Sequence, residues 1–191
     1  MTFITVDQAL RAAERAGIYR NSAAESEIRK AAQASPYKDF GFFLSHSYED
    51  ARIIIGVKEI VQMQTGQSVY VDWVEDSQLS REQVTAATAD VLRKRMGHCK
   101  FMLYATSKAS PNSKWMPWEL GYFDGIRPGK IRILPIVESS NNTFRGIEYL
   151  GLYPTLEMID FTGIGVKLGR HTGNDRGVRL VTEYANPNGA F

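Results

Sequence analysis

The residues best suited to chemistry in this chain are a carboxylate and the aromatic rings around it. The run Lys114-Trp115-Met116-Pro117-Trp118-Glu119-Leu120-Gly121-Tyr122-Phe123-Asp124 has a helical composition. Pro117 must lie in the first turn, because deeper in a helix it would break the hydrogen-bond ladder. Glu119 therefore falls near the helix start. At the helical period Trp115 and Phe123 stand four residues to either side of it, with Trp118 and Tyr122 alongside. A carboxylate in such an aromatic arc is costly unless it has partners. Two readings stay open at this level. Glu119 is either a buried acid satisfied by nearby N–H groups or an Arg, or a carboxylate at a pocket floor. In the second case the helix N-terminus favours its ionised form, and the rings supply stacking surface for a nucleotide.

Other candidates cluster elsewhere. Ser45-His46-Ser47-Tyr48-Glu49-Asp50 follows an apolar run. A Ser–His nucleophile pair is excluded, because neighbours on an extended chain point to opposite sides and no G-x-S-x-G elbow is present. Ser47-x-x-Asp50 reads as a helix cap, although the same exposed N–H groups could face a phosphate. Asp72-Trp73 ends a β-rich stretch, as a capping acid with a strand-end aromatic or as a pocket lip. Gly125-Ile126-Arg127-Pro128-Gly129-Lys130 is no phosphate loop: it is one residue short, lacks Ser or Thr after the Lys, and precedes a strand. His46, His98, His171 and Cys99 show no metal-ligand spacing, so no metal is expected.

The elements that must hold these residues follow from periodicity. Phe40–Leu44, residues 68–73, Phe101–Ala105, Ile131–Val137 and Leu156–Phe161 read as short apolar strands. Helices are expected at about residues 50–64, with Ile53, Ile54, Val57, Ile60 and Val61 as the apolar stripe, then at 82–96 and 114–124. Such alternation predicts an α/β fold: a flavodoxin-like, five-stranded parallel sheet with helices on both faces. In strand order 2-1-3-4-5 the switch point lies between strands one and three, so a ligand belongs near residues 45–50 and 106–113, next to Glu119. Residues 5–34 are Ala-rich and helical, with Ser22-x-x-Glu25 as a capping box opening a second helix. They form an N-terminal helical extension (1–36), as a hairpin packed on the main domain (37–165) or an assembly arm. Residues 166–191 read as a tail of loop plus a short last element.

Bulk properties narrow the function. The 191 residues suit one domain with an extension, and hydrophobic (43%) and charged (23%) contents are those of a globular protein. A net charge of +2 is too balanced for a protein that binds nucleic acid by phosphate neutralisation. The single cysteine, Cys99, permits no intrachain disulfide. No stretch approaches the roughly 20 apolar residues of a membrane span, and residues 1–17 lack the apolar core of a secretory signal. A cytoplasmic protein is expected.

Three stretches together resemble a known family. Phe40-Gly41-Phe42-Phe43-Leu44-Ser45-His46-Ser47-Tyr48-Glu49-Asp50 is similar to the first box of TIR (Toll/interleukin-1 receptor) domains, F-x-x-F-x-S-x-x-x-x-D. Val69-Tyr70-Val71-Asp72-Trp73 with its acidic sequel resembles their second strand and BB loop. Trp115-Met116-Pro117-Trp118-Glu119 matches the W-x-x-x-E motif of bacterial TIR NAD+ hydrolases. The likeness covers roughly residues 38–162.

The resemblance implies cleavage of NAD+ to nicotinamide and ADP-ribose or a cyclic ADP-ribose isomer, with NAD+ as substrate and no cofactor. It makes Glu119 the catalytic glutamate, stabilising an oxocarbenium-like transition state. Trp115 would wall the pocket, and Ser45, His46, Ser47, Tyr48, Asp72 and Trp73 would contact ribose and base. It further implies a homo-oligomer built through TIR–TIR contacts, and antiphage defence of the Thoeris type, with a separate effector reading the nucleotide product. The BB loop departs from the family: Glu75, Asp76, Leu79 and Arg81 replace the usual Pro-Gly turn, which bears on assembly. Two rivals are a non-enzymatic TIR adaptor and a nucleoside deoxyribosyltransferase-like enzyme. A phospho-receiver is excluded, because Ala105-Thr106 stands where strand three would need an Asp.

Overall fold

The computed structural model describes residues 3–32, 37–71, 86–139, 148–161 and 165–171. In chain order the strands are β1 (Ile4–Thr5), β2 (Phe40–Ser45), β3 (Val69–Val71), β4 (Cys99–Thr106), β5 (Ile131–Val137), β6 (Thr155–Phe161) and β7 (Gly165–His171). The helices are α1 (Val6–Arg15), α2 (Asn21–Ala32), α3 (Ala51–Thr65), α4 (Ala86–Gly97) and α5 (Trp115–Ile126). Short 3-10 turns cover Tyr48–Asp50, Ser110–Asn112 and Glu148–Leu152.

The sheet runs β3-β2-β4-β5-β6-β7. Its first five members are parallel, in the doubly wound order expected from the sequence, while β7 returns antiparallel to β6. Every residue of β5, and all of β2 except Phe42, is buried, which explains why both strands read as continuous apolar runs: each face is covered. Asp72-Trp73, the acidic BB-loop stretch, the Asn141-Asn142 loop and residues 172–191 lie outside the described residues. No described helix is long and apolar enough to cross a membrane.

Helices α1, α2 and α3 share one hydrophobic cluster with one side of the sheet, through Leu44, Val69, Val71, Leu103, Ala105, Leu134 and Ile136. The N-terminal segment is thus part of the domain core, and it begins with a strand: β1 pairs in parallel with the end of β5. The expected capping box at Ser22 is not where a helix starts, since α2 opens at Asn21. The box that forms is Thr5 with Gln8 at the head of α1: Gln8 N–H donates to Thr5 Oγ1 (3.1 Å) and Thr5 N–H to Gln8 Oε1 (2.9 Å).

The stripe of α3 also differs from expectation. Ile55 and Gly56 are buried and Ile53 only half so, because α3 is covered by α1 as well as by the sheet. The two backbones touch at Gly56, where an added Cβ would stand 1.8 Å from the Ala9 carbonyl oxygen. Ala9, Ala12 and Ala13 keep that face of α1 flat enough for this approach. An Arg52–Glu14 ion pair at 2.5 Å closes its rim. On the opposite side, Leu92 and Met96 of α4 and Met116, Leu120 and Phe123 of α5 pack on Phe43, Tyr70, Met102, Tyr104, Ile131 and Ile133.

Candidate active site

Strand alternation decides what meets α5. Phe43 of β2 and Met102 of β4 point into the α4–α5 cluster, so Ser45 and Tyr104, two residues further on, face the same way. Ser45 and Tyr104 are cross-strand partners at the carboxyl end of the sheet. From above, α5 begins at Trp115 and places Pro117 third and Glu119 fifth, as the proline requires. Met116, Leu120 and Phe123 anchor that helix and turn Glu119 inward, where it is only 3% exposed. Ser45 Oγ donates to Glu119 Oε2 at 2.5 Å. Glu119 is thus a buried acid with a hydroxyl partner, at the carboxyl end of β2 and β4.

Tyr104 completes the cluster. Burial pushes its phenol well above the ordinary range, helped by the hydrogen-bonded Tyr149 hydroxyl and by the negative charge of Glu119. It stays protonated and neutral at any physiological pH.

The aromatic arc splits in three. Phe123 is fully buried in the core. Trp118 stacks on Tyr122 (5.7 Å between centroids, 15°), and the Arg93 guanidinium of α4 lies over both rings at 5.6 and 5.9 Å. One helical turn apart, Trp118 and Tyr122 share a flank of α5, with the Arg93 cation over both rings. Trp115 is half-buried at the head of the helix, edge-on to Trp118 at 5.3 Å.

The residues after β2 form the other bank. His46 Nδ1 lies 3.3 Å from the Leu44 carbonyl and, as the only possible donor of the two, carries a proton toward it. Loss of water around the ring pushes its pKa down to about 4, against a smaller opposing effect of that hydrogen bond, so the imidazole is neutral at pH 7. Ser47 is buried, but neither it nor Asp50 makes a side-chain cap bond. The capping reading of this pair is corrected. The Ser47 carbonyl accepts the Asp50 N–H (3.2 Å), and the Asp50 carboxylate accepts the Ser107 hydroxyl from the loop after β4. Burial raises the Asp50 pKa more than that hydrogen bond lowers it. Ser107 Oγ in turn accepts the N–H groups of Ala109 (3.1 Å) and Ser110 (3.2 Å), tying the loops at the switch point together.

Of the residues singled out in the sequence, Ser45 and Glu119 touch, and His46, Ser47 and Trp115 adjoin them along the chain. Tyr48 lies in the 3-10 turn, its side chain outside the described residues, as are Asp72 and Trp73. Sequence reasoning missed Tyr104 and Ser107. Tyr104 sits inside an apolar strand, and only its register against Ser45 reveals it. Ser107 looked like one polar loop residue among several. Among the described residues no cluster of His, Cys, Asp and Glu could hold a metal ion.

No protein-family model matches the chain. Over 118 residues it is 53% identical to the "Probable 3' cyclic ADP-D-ribose synthase ThsB'" of Bacillus cereus (strain MSX-D12), covering 61% of this chain and 60% of that protein. Over 88 residues it is 36% identical to a protein of Cytobacillus dafuensis provisionally named cyclic ADP-D-ribose synthase TIR2, covering 44% of this chain and 22% of that protein. The chain thus spans about three fifths and about one fifth of the lengths of these curated relatives. Both relatives are named as cyclic ADP-D-ribose synthases, the second with TIR in its name, and the flavodoxin-like sheet is the one that the TIR resemblance implies.

Proposed function

We propose that the protein cleaves NAD+ at the nicotinamide–ribose bond and passes the ADP-ribosyl group to a hydroxyl of the same molecule, or to water. The observation that carries this reading is the buried Glu119 carboxylate, held at the carboxyl end of β2 and β4 by Ser45. The names of the two relatives favour the cyclic product.

The chemistry suits a single carboxylate. The C1′–N bond breaks heterolytically, and its electron pair stays on the nicotinamide ring, which leaves neutral. Positive charge grows on the ribose, where a fixed carboxylate in a water-poor site stabilises it. The leaving group needs no proton, so a second acid is not required. An acceptor hydroxyl then bonds to C1′ and releases its proton. If that acceptor is water, the product is ADP-ribose; if it is a hydroxyl of the same ADP-ribosyl group, the ring closes. Trp115 walls the nicotinamide side, while His46, Ser47, Tyr48, Asp72 and Trp73 line the ribose and base. The active form is a homo-oligomer in the cytoplasm, and a separate effector reads the product as a signal in antiphage defence.

The test is incubation of concentrated protein with NAD+ and a crowding agent, with free nicotinamide as readout and mass spectrometry of the nucleotide product. Glu119→Gln should lower turnover at least about 100-fold, the scale of losing a key electrostatic stabiliser, while the variant still folds. Equal turnover in the variant overturns the mechanism. Base exchange on deoxynucleosides with no action on NAD+ would point to the deoxyribosyltransferase reading. No turnover under any assembly condition would point to the adaptor.

A further inference from the structure

We propose that Ser45 acts through Glu119 as a positioning residue, fixing the carboxylate, and is not a contact for the substrate. The inference rests on the reading of Glu119 as the carboxylate that meets the sugar.

A serine hydroxyl has one proton to donate. In Ser45 that proton is given to Glu119 Oε2, over 2.5 Å, from a side chain with no exposed surface. Nothing remains for it to donate to a ribose hydroxyl. The donor is also rigidly placed. β2 is an interior strand, paired with β3 on one side and β4 on the other, and Ser45 itself stands in register with Tyr104. The acceptor is anchored separately, by Met116, Leu120 and Phe123 beneath α5. A glutamate has three side-chain torsions to settle; one bond from the sheet to a single oxygen restricts them, and a carboxylate's remaining lone pairs keep its capacity to accept from a ligand. Hydrogen bonding to the charged form also favours ionisation, which counters the cost of burial.

Two ionisable groups stand beside this pair. Tyr104 faces Glu119 from β4 and stays protonated, with Tyr149 hydrogen-bonded behind it. His46, next along β2, is neutral at pH 7. The Ser45 hydroxyl, donating from the sheet, helps hold the acid in its charged, oriented state.

The experiment compares the full chain with Ser45→Ala, Ser45→Thr and Glu119→Gln. For Ser45→Ala the expectation is a fall in kcat of about 10-fold, with KM changed by no more than about twofold, since the loss falls on transition-state stabilisation. The acid limb of its pH–rate profile should move to higher pH, because the charged carboxylate has lost a donor. Ser45→Thr, which restores the hydroxyl, should recover the limb. A raised KM with kcat and acid limb unchanged makes Ser45 a substrate contact and overturns the proposal. A reading independent of turnover is the Glu119 side-chain carboxyl followed by carbon NMR through a pH titration, assigned with Glu119→Gln. Its midpoint should rise in Ser45→Ala; an unmoved midpoint overturns the positioning role. Should the wild-type chain leave NAD+ intact while that midpoint still rises, the proposed reaction fails and the Ser45–Glu119 coupling stands.

Discussion

The two faces of the sheet are built on different principles. The face under α1, α2 and α3 is aliphatic and Ala-rich, with helix backbones in contact at Gly56 and Ala9. The face under α4 and α5 is aromatic and sulfur-rich, and it admits buried polar groups. Glu119 lies against Ser45 and near Tyr104, while Arg95, 1% exposed, lies over the Tyr70 ring at 4.9 Å. Burying a charge costs stability that the same volume of hydrocarbon would not. Close packing on the first face offsets such a cost, so the second face can hold a carboxylate at the carboxyl edge of the sheet, where the proposed substrate would bind. On the proposed function, stability and chemistry are divided between two sides of one set of strands.

The comparison can be broken most forcefully on the first face. Gly56→Ala puts a methyl group 1.8 Å from a backbone oxygen, a clash that no side-chain rotation relieves. The expected loss is at least about 3 kcal/mol, the upper range for overpacking, read by denaturant unfolding. A variant as stable as wild type would mean that α1 is not locked on α3, and the division of labour would fail.

A second, smaller effect belongs to the carboxyl edge, where the faces meet. The folded state holds His46 neutral down to about pH 4, against 6.5 when unperturbed. The unfolded chain therefore binds a proton at His46 that the native state refuses. Stability from this group is complete above pH 6.5 and is lost as pH falls toward 4, by on the order of 2 kcal/mol for a half-buried ring. Unfolding curves across that window should flatten in His46→Gln. An unchanged slope would put the imidazole in water.

The smallest effect sharpens the picture at Asp50. Its raised pKa means that the native carboxyl keeps its proton to higher pH than the unfolded one, so ionisation costs stability as pH rises. Asp50→Asn keeps an acceptor for Ser107 and removes the charge. It should raise the melting midpoint at pH 7, and the gain over wild type should vanish in acid. Destabilisation at every pH would show that the charge itself holds the two loops together.

The amino-acid order alone specified the alternation of strands and helices, the parallel sheet and its switch point, and the placing of Glu119 near a helix start. Each of these follows from local rules: apolar period, β-branched runs and the position allowed to Pro117. The first-box and W-x-x-x-E motifs, both short and local, were legible for the same reason. What tertiary structure decided was who meets whom. Ser45 faces Glu119 across 74 positions of chain, Ser107 meets Asp50, which makes no side-chain cap bond, and Arg93 lies over Trp118 and Tyr122. β1 joins the sheet through only two residues, beside β5, with more than 130 positions of chain between them. Periodicity reports which side of its own element a residue occupies; strand register and helix docking fix the neighbour on the other side, and those depend on the whole fold at once.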